Sequence, residues 1–343
     1  MNFLKFIFVI FIIPFSAVFA QENQKIKEKY VLVIHGGAGT ISKSSLTPEL
    51  EKEYKSALKE ALKCGQNILD TGGLAITAVE AAVKYMEDSP LFNAGKGSVF
   101  NHDGVNEMDA CIMNGKDLTC GAVAGVTNLK NPIEGARLVK DSSKYVFLYG
   151  DGAQEFCLSK GATYADSSYF FTDFRWKQYI KAREKDTMIL DHDTTSLNYN
   201  YKALEEIEKF GTVGAVALDR YGNLAAATST GGLTNKEYNR IGDSPIVGAG
   251  TYASNRSCAV SCTGKGEFFI RGTVARDIAA RMEFGSLDLN EACEKTMTRL
   301  EKIGGSGGFI AVDKRGNFSL MFNTKGMYRG VVTNDKKASI KIY

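Results

Sequence analysis

The chain has 343 residues, 44% hydrophobic and 24% charged with only five Pro, a globular composition that excludes disordered, collagenous and disulfide-scaffold classes. Lys and Arg total 42 against 39 Asp and Glu, which leaves a net +3 and no basic run long enough to track nucleic acid. Histidine is confined to His35, His102 and His192, too few to favour a Ser-His-Asp triad or a His-rich metal site, while 35 Gly point to tight turns and backbone-built sites.

Met1 to Lys5 carries one positive charge, 6–15 is an apolar run, and Val18-Phe19-Ala20 ends on a small residue. These are the three regions of a secretory signal peptide, with cleavage expected after Ala20 and export to the periplasm or medium. A transmembrane anchor needs about 20 apolar residues, more than this run supplies. No Cys stands near the junction to carry a lipid, and no later segment reads as a span, so no membrane association is expected after cleavage.

The stretch 30–34 predicts an apolar strand, and His35-Gly36-Gly37-Ala38-Gly39 a turn out of it. Thr47-Pro48-Glu49 supplies an N-cap, a Pro at N1 and an acidic first turn, after which Tyr54, Ala57, Leu58, Ala61 and Leu62 repeat at helical spacing. A second helix is predicted over 75–87, strands near 108–113 and 120–126, a helix after Asn131-Pro132, a strand at 145–149 and a short helix behind it. From Tyr164 to Phe210 no clear period survives, and residues 183–211 are predicted to form an exposed linker. Beyond it, 212–218 and 224–228 are strands joined by the turn-rich 219–223. Strands near 247–252 and 257–262, helices over 273–283 and 289–302, and a hairpin of 308–312 with 318–322 complete the pattern. Strands apolar on both faces must be covered on both. Short links between them indicate antiparallel sheets, so the expected class is α+β: a four-layer αββα sandwich in one integrated domain. Seven Cys sit mostly in apolar surroundings without a CxxC pair, and are expected to be small buried hydrophobes; a disulfide is left open.

Five segments could carry chemistry. In Gly211-Thr212-Val213-Gly214, a Thr opens a buried strand behind an exposed segment, a place suited to becoming a chain terminus. Its own α-amine, with an unperturbed pKa of about 7.7–8.0, could then act as base for its hydroxyl without any His. Taken alone, a Gly-Thr before a strand more often carries no chemistry. Thr228-Ser229-Thr230-Gly231-Gly232 puts hydroxyls at a strand end, or forms a plain Ser/Thr turn. Arg240 and Asp243 could hold the carboxylate and ammonium of an amino-acid headgroup, or form a surface ion pair. Thr263-Gly264-Lys265-Gly266 offers backbone N–H groups for an oxyanion hole but lacks the phosphate-loop pattern. Asn93-Ala94-Gly95 could orient a substrate or cap a turn. The glycines after His35 lack the spacing of a dinucleotide fingerprint.

Together these segments resemble the plant-type L-asparaginase / isoaspartyl peptidase branch of the N-terminal nucleophile hydrolases. The resemblance runs in order from Ile34-His35-Gly36-Gly37-Ala38-Gly39 through Glu107-Met108-Asp109-Ala110 and 211–232. It continues through Gly304-Gly305-Ser306-Gly307-Gly308 and ends at Phe322-Asn323-Thr324-Lys325-Gly326-Met327-Tyr328-Arg329. It implies self-cleavage between Gly211 and Thr212, giving an α subunit (21–211) and a β subunit (212–343). Thr212 would be the nucleophile with Thr230 bonded to it, and Thr263 and Gly264 would form the oxyanion hole with Asn93 nearby. Arg240 would hold the substrate α-carboxylate, and Asp243 its ammonium with the Gly266 carbonyl. A structural sodium would lie on main-chain carbonyls of Met86, Glu87, Ser89, Phe92, Ala94 and Lys96. No organic cofactor is implied, and processed protomers would pair as an (αβ)₂ homodimer. The small-molecule substrates would be β-aspartyl dipeptides and asparagine. His192-Asp193-Thr194 resembles the cleavage triplet of glycosylasparaginases, but no apolar strand start follows it. Two other readings stand beside this one: a glycosylasparaginase acting on sugar-linked asparagine, and an uncleaved, inactive amino-acid-binding protein.

Overall fold

The computed structural model describes residues 29–185 and 211–343; the signal segment 1–20, nearly all of the predicted linker and the His192 triplet lie outside them. The centre of the fold is a hairpin of β5 (Val213–Leu218) and β6 (Leu224–Thr230), whose small apolar residues are buried throughout. Asp219 closes its turn by accepting from the N–H groups of Tyr221 and Asn223 at 3.0 and 2.9 Å. β5 pairs antiparallel with β1 (Val31–Gly39), and β6 with β2 (Met108–Asn114). With β3 (Cys120–Val126), β4 (Phe147–Tyr149), β11 (Gly326–Thr333) and β12 (Lys336–Lys341) they form an eight-stranded sheet in the order β12-β11-β1-β5-β6-β2-β3-β4. A second sheet of four strands runs β10 (Phe318–Phe322), β9 (Gly307–Asp313), β8 (Cys258–Gly264), β7 (Thr251–Ala253).

Three apolar layers join these sheets to helices. Leu58 and Leu62 of α1 (Pro48–Asp70), Val79 and Val83 of α2 (Ala75–Glu87) and Ile133 of α3 (Pro132–Ser142) pack with Leu32, Ile34 and Ala227 on the outside of the large sheet. Ile278 of α8 (Val274–Glu283) and Leu300 of α9 (Leu289–Lys302) pack with Cys262 and Phe309 on the outside of the small one. Val33, Val216 and Ala226 meet Ala259, Ile310 and Val312 between the sheets. Each large side chain so buried contributes about 1.5–3 kcal/mol, and the αββα sandwich is the arrangement that covers every face. All seven Cys are free, and five of them are buried.

The structure departs from expectation in several places. His35 to Gly39 is not a turn: β1 runs on to Gly39 with an irregularity between His35 and Ala38. Gly37 sits there at φ +109°, and a Cβ on it would lie 2.6 Å from the Gly211 nitrogen. These glycines thus admit a close backbone approach. Arg183 and Glu184, the first two residues of the predicted linker, instead belong to α6 (Asp173–Glu184). Its buried face is made of Arg175, Tyr179 and Ala182, with Arg175 Nε donating to Gly97 O at 2.8 Å, so no aliphatic stripe reveals it. α5 (Ser167–Phe170) was likewise unforeseen, as were β11, β12 and α7 (Gly266–Gly272). β12 is an edge strand rich in Lys, the polar composition that guards an exposed edge. The strand expected near 247–252 is shorter and later, with Val247 only bridging to Thr251.

Candidate active site

The register of the central hairpin creates the site. Val213 faces Ser229, so Thr212 and Thr230 come together at the open end, with 3.1 Å between their Oγ1 atoms. Thr230 Oγ1 also accepts from Gly232 N at 3.0 Å, which directs its own hydrogen away from that side. From the other sheet, β8 delivers Thr263 and Gly264 to the same end. Gly264 has φ +152°, and a Cβ there would meet Ser306 O at 2.4 Å. The two sheets thus open into one cleft lined by Asn93, Gly211, Thr212, Thr230, Arg240, Asp243, Thr263 and Gly264. Gly266 stands behind it, where a Cβ would lie 2.7 Å from Arg240 Nη2 and 3.1 Å from Asp243 Oδ1.

Arg240 and Asp243 differ sharply in setting. The Asp243 carboxyl is buried, and burial pushes its pKa up to about 6 despite the lowering effect of Arg240. Its Oδ2 has no hydrogen-bond partner among the described residues. An unmatched buried acceptor is costly unless a donor arrives. Arg240 Nε donates to Glu267 Oε1 at 2.9 Å. Asn93 acts mainly as a clamp: Nδ2 donates to Gly232 O at 2.8 Å and Oδ1 accepts from Val99 N at 3.0 Å. Gly231 is needed beside it, since a Cβ there would lie 2.4 Å from Asn93 Oδ1.

His35 explains the second glycine of the Gly211-Thr212-Val213-Gly214 motif. Its Nε2 lies 2.9 Å from Ser261 Oγ, and a Cβ on Gly214 would fall 2.4 Å from that nitrogen. Burial pushes the His35 pKa down to about 3, so the ring is neutral and a poor base. His102 pairs with Asn235 and Glu237 away from the cleft. Neither described imidazole lines the cleft that holds the Thr212 hydroxyl.

The loop after α2 is crowded with main-chain oxygens. Met86 O, Phe92 O and Ala94 O accept from Ser89 N, Ala94 N and Gly97 N. A Cβ on Gly95 would lie 2.3 Å from Glu87 O, and one on Gly97 would lie 2.1 Å from Phe92 O and 2.7 Å from Pro90 O. The Ser89 hydroxyl accepts from Leu91 N, and the Lys96 ammonium lies 5.2 Å from the Tyr169 ring centre. The Glu87 side chain is buried, accepts from Ile133 N and Ser229 Oγ at 3.0 and 2.6 Å, and has its pKa pushed up to about 8. The loop is thereby tied to the residue beside Thr230. Sequence reasoning missed Glu267, Leu233, Gly242 and Ser244, the last three of which line the cleft.

Fold and cleft together define the N-terminal nucleophile class of hydrolases: two stacked sheets between helices, with a threonine at the start of a central strand. Residues 28–342 match the family model described as asparaginase, and the chain belongs to that family. It is 50% identical over 302 residues to an isoaspartyl peptidase of Escherichia coli, covering 88% of this chain and 92% of that one. An isoaspartyl peptidase/L-asparaginase of Xenopus laevis is 40% identical over 309 residues, 90% of this chain and 94% of its own. The enzyme of Bos taurus with the same name is 40% identical over 299 residues, 87% and 91% of the two chains.

Proposed function

We propose that this protein is an exported isoaspartyl peptidase with L-asparaginase activity, matured by cleavage of its own Gly211–Thr212 bond. The observation that carries the reading is the Thr212 hydroxyl, 3.1 Å from Thr230, in one cleft with Arg240 and with Asp243, whose Oδ2 has no hydrogen-bond partner among the described residues. Cleavage gives Thr212 a free α-amine. That amine takes the hydroxyl proton while Oγ1 attacks the β-carbonyl carbon of the substrate. Thr263 and Gly264 stabilise the oxyanion. The amine then returns the proton to the leaving nitrogen, and water hydrolyses the β-aspartyl ester to release aspartate. Arg240 pairs with the α-carboxylate; Asp243, with the Gly266 carbonyl, takes the α-ammonium. With the bond intact Gly211 forms part of the cleft wall beside Thr212, so its release would widen the space there for substrate.

The crowded carbonyls of 86–97 suit a hard monovalent cation. Oxygens of Met86, Glu87, Ser89, Phe92, Ala94 and Lys96 would hold a sodium ion, which would stiffen the loop that carries Asn93. Export rests on the signal-like residues 1–20, and an (αβ)₂ homodimer on the family resemblance.

The clamp sees the same headgroup in β-aspartyl dipeptides, asparagine and sugar-linked asparagine, so the leaving-group side must discriminate. Parallel assays with β-Asp-Leu, L-asparagine and N-acetylglucosaminyl-asparagine are expected to give kcat/KM in that order. The highest value for the sugar conjugate would instead make this a glycosylasparaginase.

Two groups should shape the acid side of the pH profile. The Thr212 amine must be neutral, and its unperturbed pKa is about 7.7–8.0. Asp243 must be ionised to meet an ammonium, and its pKa in the free site is about 6. Log kcat/KM, which reports the free enzyme, should therefore fall with unit slope below the amine pKa. It should steepen toward a slope of two below the Asp243 pKa. A flat profile between pH 5 and 9, with no change of rate-limiting step, would remove the amine from its role.

A further inference from the structure

We infer that Glu267 is a positioning residue for substrate capture, holding Arg240 so that the outer end of its guanidinium faces the substrate α-carboxylate. The inference rests on Arg240 being the carboxylate clamp. Glu267 lies in the first turn of α7, directly after Gly266. Its Oε1 accepts from Arg240 Nε at 2.9 Å and lies 2.8 Å from Nη2. One carboxylate oxygen therefore takes the Nε hydrogen bond and neutralises the Nη2 side, while neither Nη atom makes a hydrogen bond among the described residues, so the Nη end is left for a carboxylate. Backbone closes in on the guanidinium as well: a Cβ on Gly242 would lie 2.9 Å from Nη1, and one on Gly266 2.7 Å from Nη2. A free Arg side chain has many rotamers to lose on binding; here the plane and reach of the fork are set before substrate arrives, which is where preorganisation gains affinity.

The same carboxylate is an electrostatic liability, because it brings a negative charge near the one the substrate carries. Position and charge therefore predict opposite outcomes, and two substitutions separate them. Glu267→Gln keeps an acceptor oxygen and removes the charge; Glu267→Ala removes both. The Glu267 side chain is 54% exposed, and exposed ion pairs add little to stability, so both variants should fold and process like wild type.

With β-Asp-Leu, Glu267→Ala is expected to raise KM about tenfold with kcat changed less than about twofold, while Glu267→Gln stays within about threefold of wild type. Inhibition constants sharpen the test. L-aspartate carries the α-carboxylate and should bind about tenfold more weakly to Glu267→Ala. β-Alanine lacks that group and should bind both proteins equally. A merely structural role would weaken both inhibitors together, and that result, or an unchanged KM in Glu267→Ala, overturns the inference. Wild-type protein that processes itself but leaves β-Asp-Leu intact would sink the clamp assignment and this inference with it. An active wild type with an indifferent Glu267→Ala sinks the inference alone.

Discussion

Thr212→Ala is expected to yield a full-length chain with no self-cleavage and a loss of hydrolysis on the order of 10⁴-fold or more, because both the nucleophile and the amine that serves it disappear. The fold should survive. Thr212 precedes β5 and contributes one side-chain hydrogen bond, to Thr230 at 3.1 Å. Such a bond is worth about 1 kcal/mol, so thermal unfolding should stay close to that of wild type. Gel electrophoresis and a β-Asp-Leu assay on the same preparation check both halves of the prediction. A variant that remained cleaved, or that kept wild-type turnover, would place the nucleophile elsewhere. Thr212→Ser, which retains a hydroxyl, should still process.

Arg240→Ala should lower kcat/KM by about 30- to 5,000-fold, mainly through KM. That corresponds to the roughly 2–5 kcal/mol lost when one partner of a buried, charge-assisted pair is removed. Processing at Thr212 should continue, since no carboxylate of the substrate takes part in it. Arg240→Lys should recover little, because an ammonium cannot reproduce the fork that Glu267 orients at 2.8–2.9 Å. Unchanged kinetics in Arg240→Ala would remove the residue from the site.

What the sequence disclosed and what it withheld have physical reasons. α2 and β3 are legible to the residue because their apolar patterns are uninterrupted, even though α2 starts at Leu74 without a side-chain cap. The paired hydroxyls at Thr212 and Thr230 follow from the length of the strands and of the turn at Asp219. α6 escaped notice because its inward face buries Arg175, whose guanidinium serves Gly97 O rather than an aliphatic core. The glycines after His35 looked like a turn because flexibility and close approach share one signature in sequence. Only the packing of Gly37 on Gly211 tells them apart. Glu267 was invisible for a different reason. Its contact with Arg240 spans 27 residues and depends on the sharp entry into α7, which no local pattern encodes.

The central claim is that a threonine made N-terminal by the protein's own cleavage performs the chemistry. N-terminal sequencing of the smaller fragment from an active preparation, with its intact mass, tests this most directly. Cleavage before Thr212 leaves 132 residues, about 14 kDa at the chain's mean residue mass of 37.4 kDa over 343. The first cycles should then read Thr-Val-Gly-Ala. Full activity from a chain that is still intact, or from a fragment beginning anywhere else, would contradict the account.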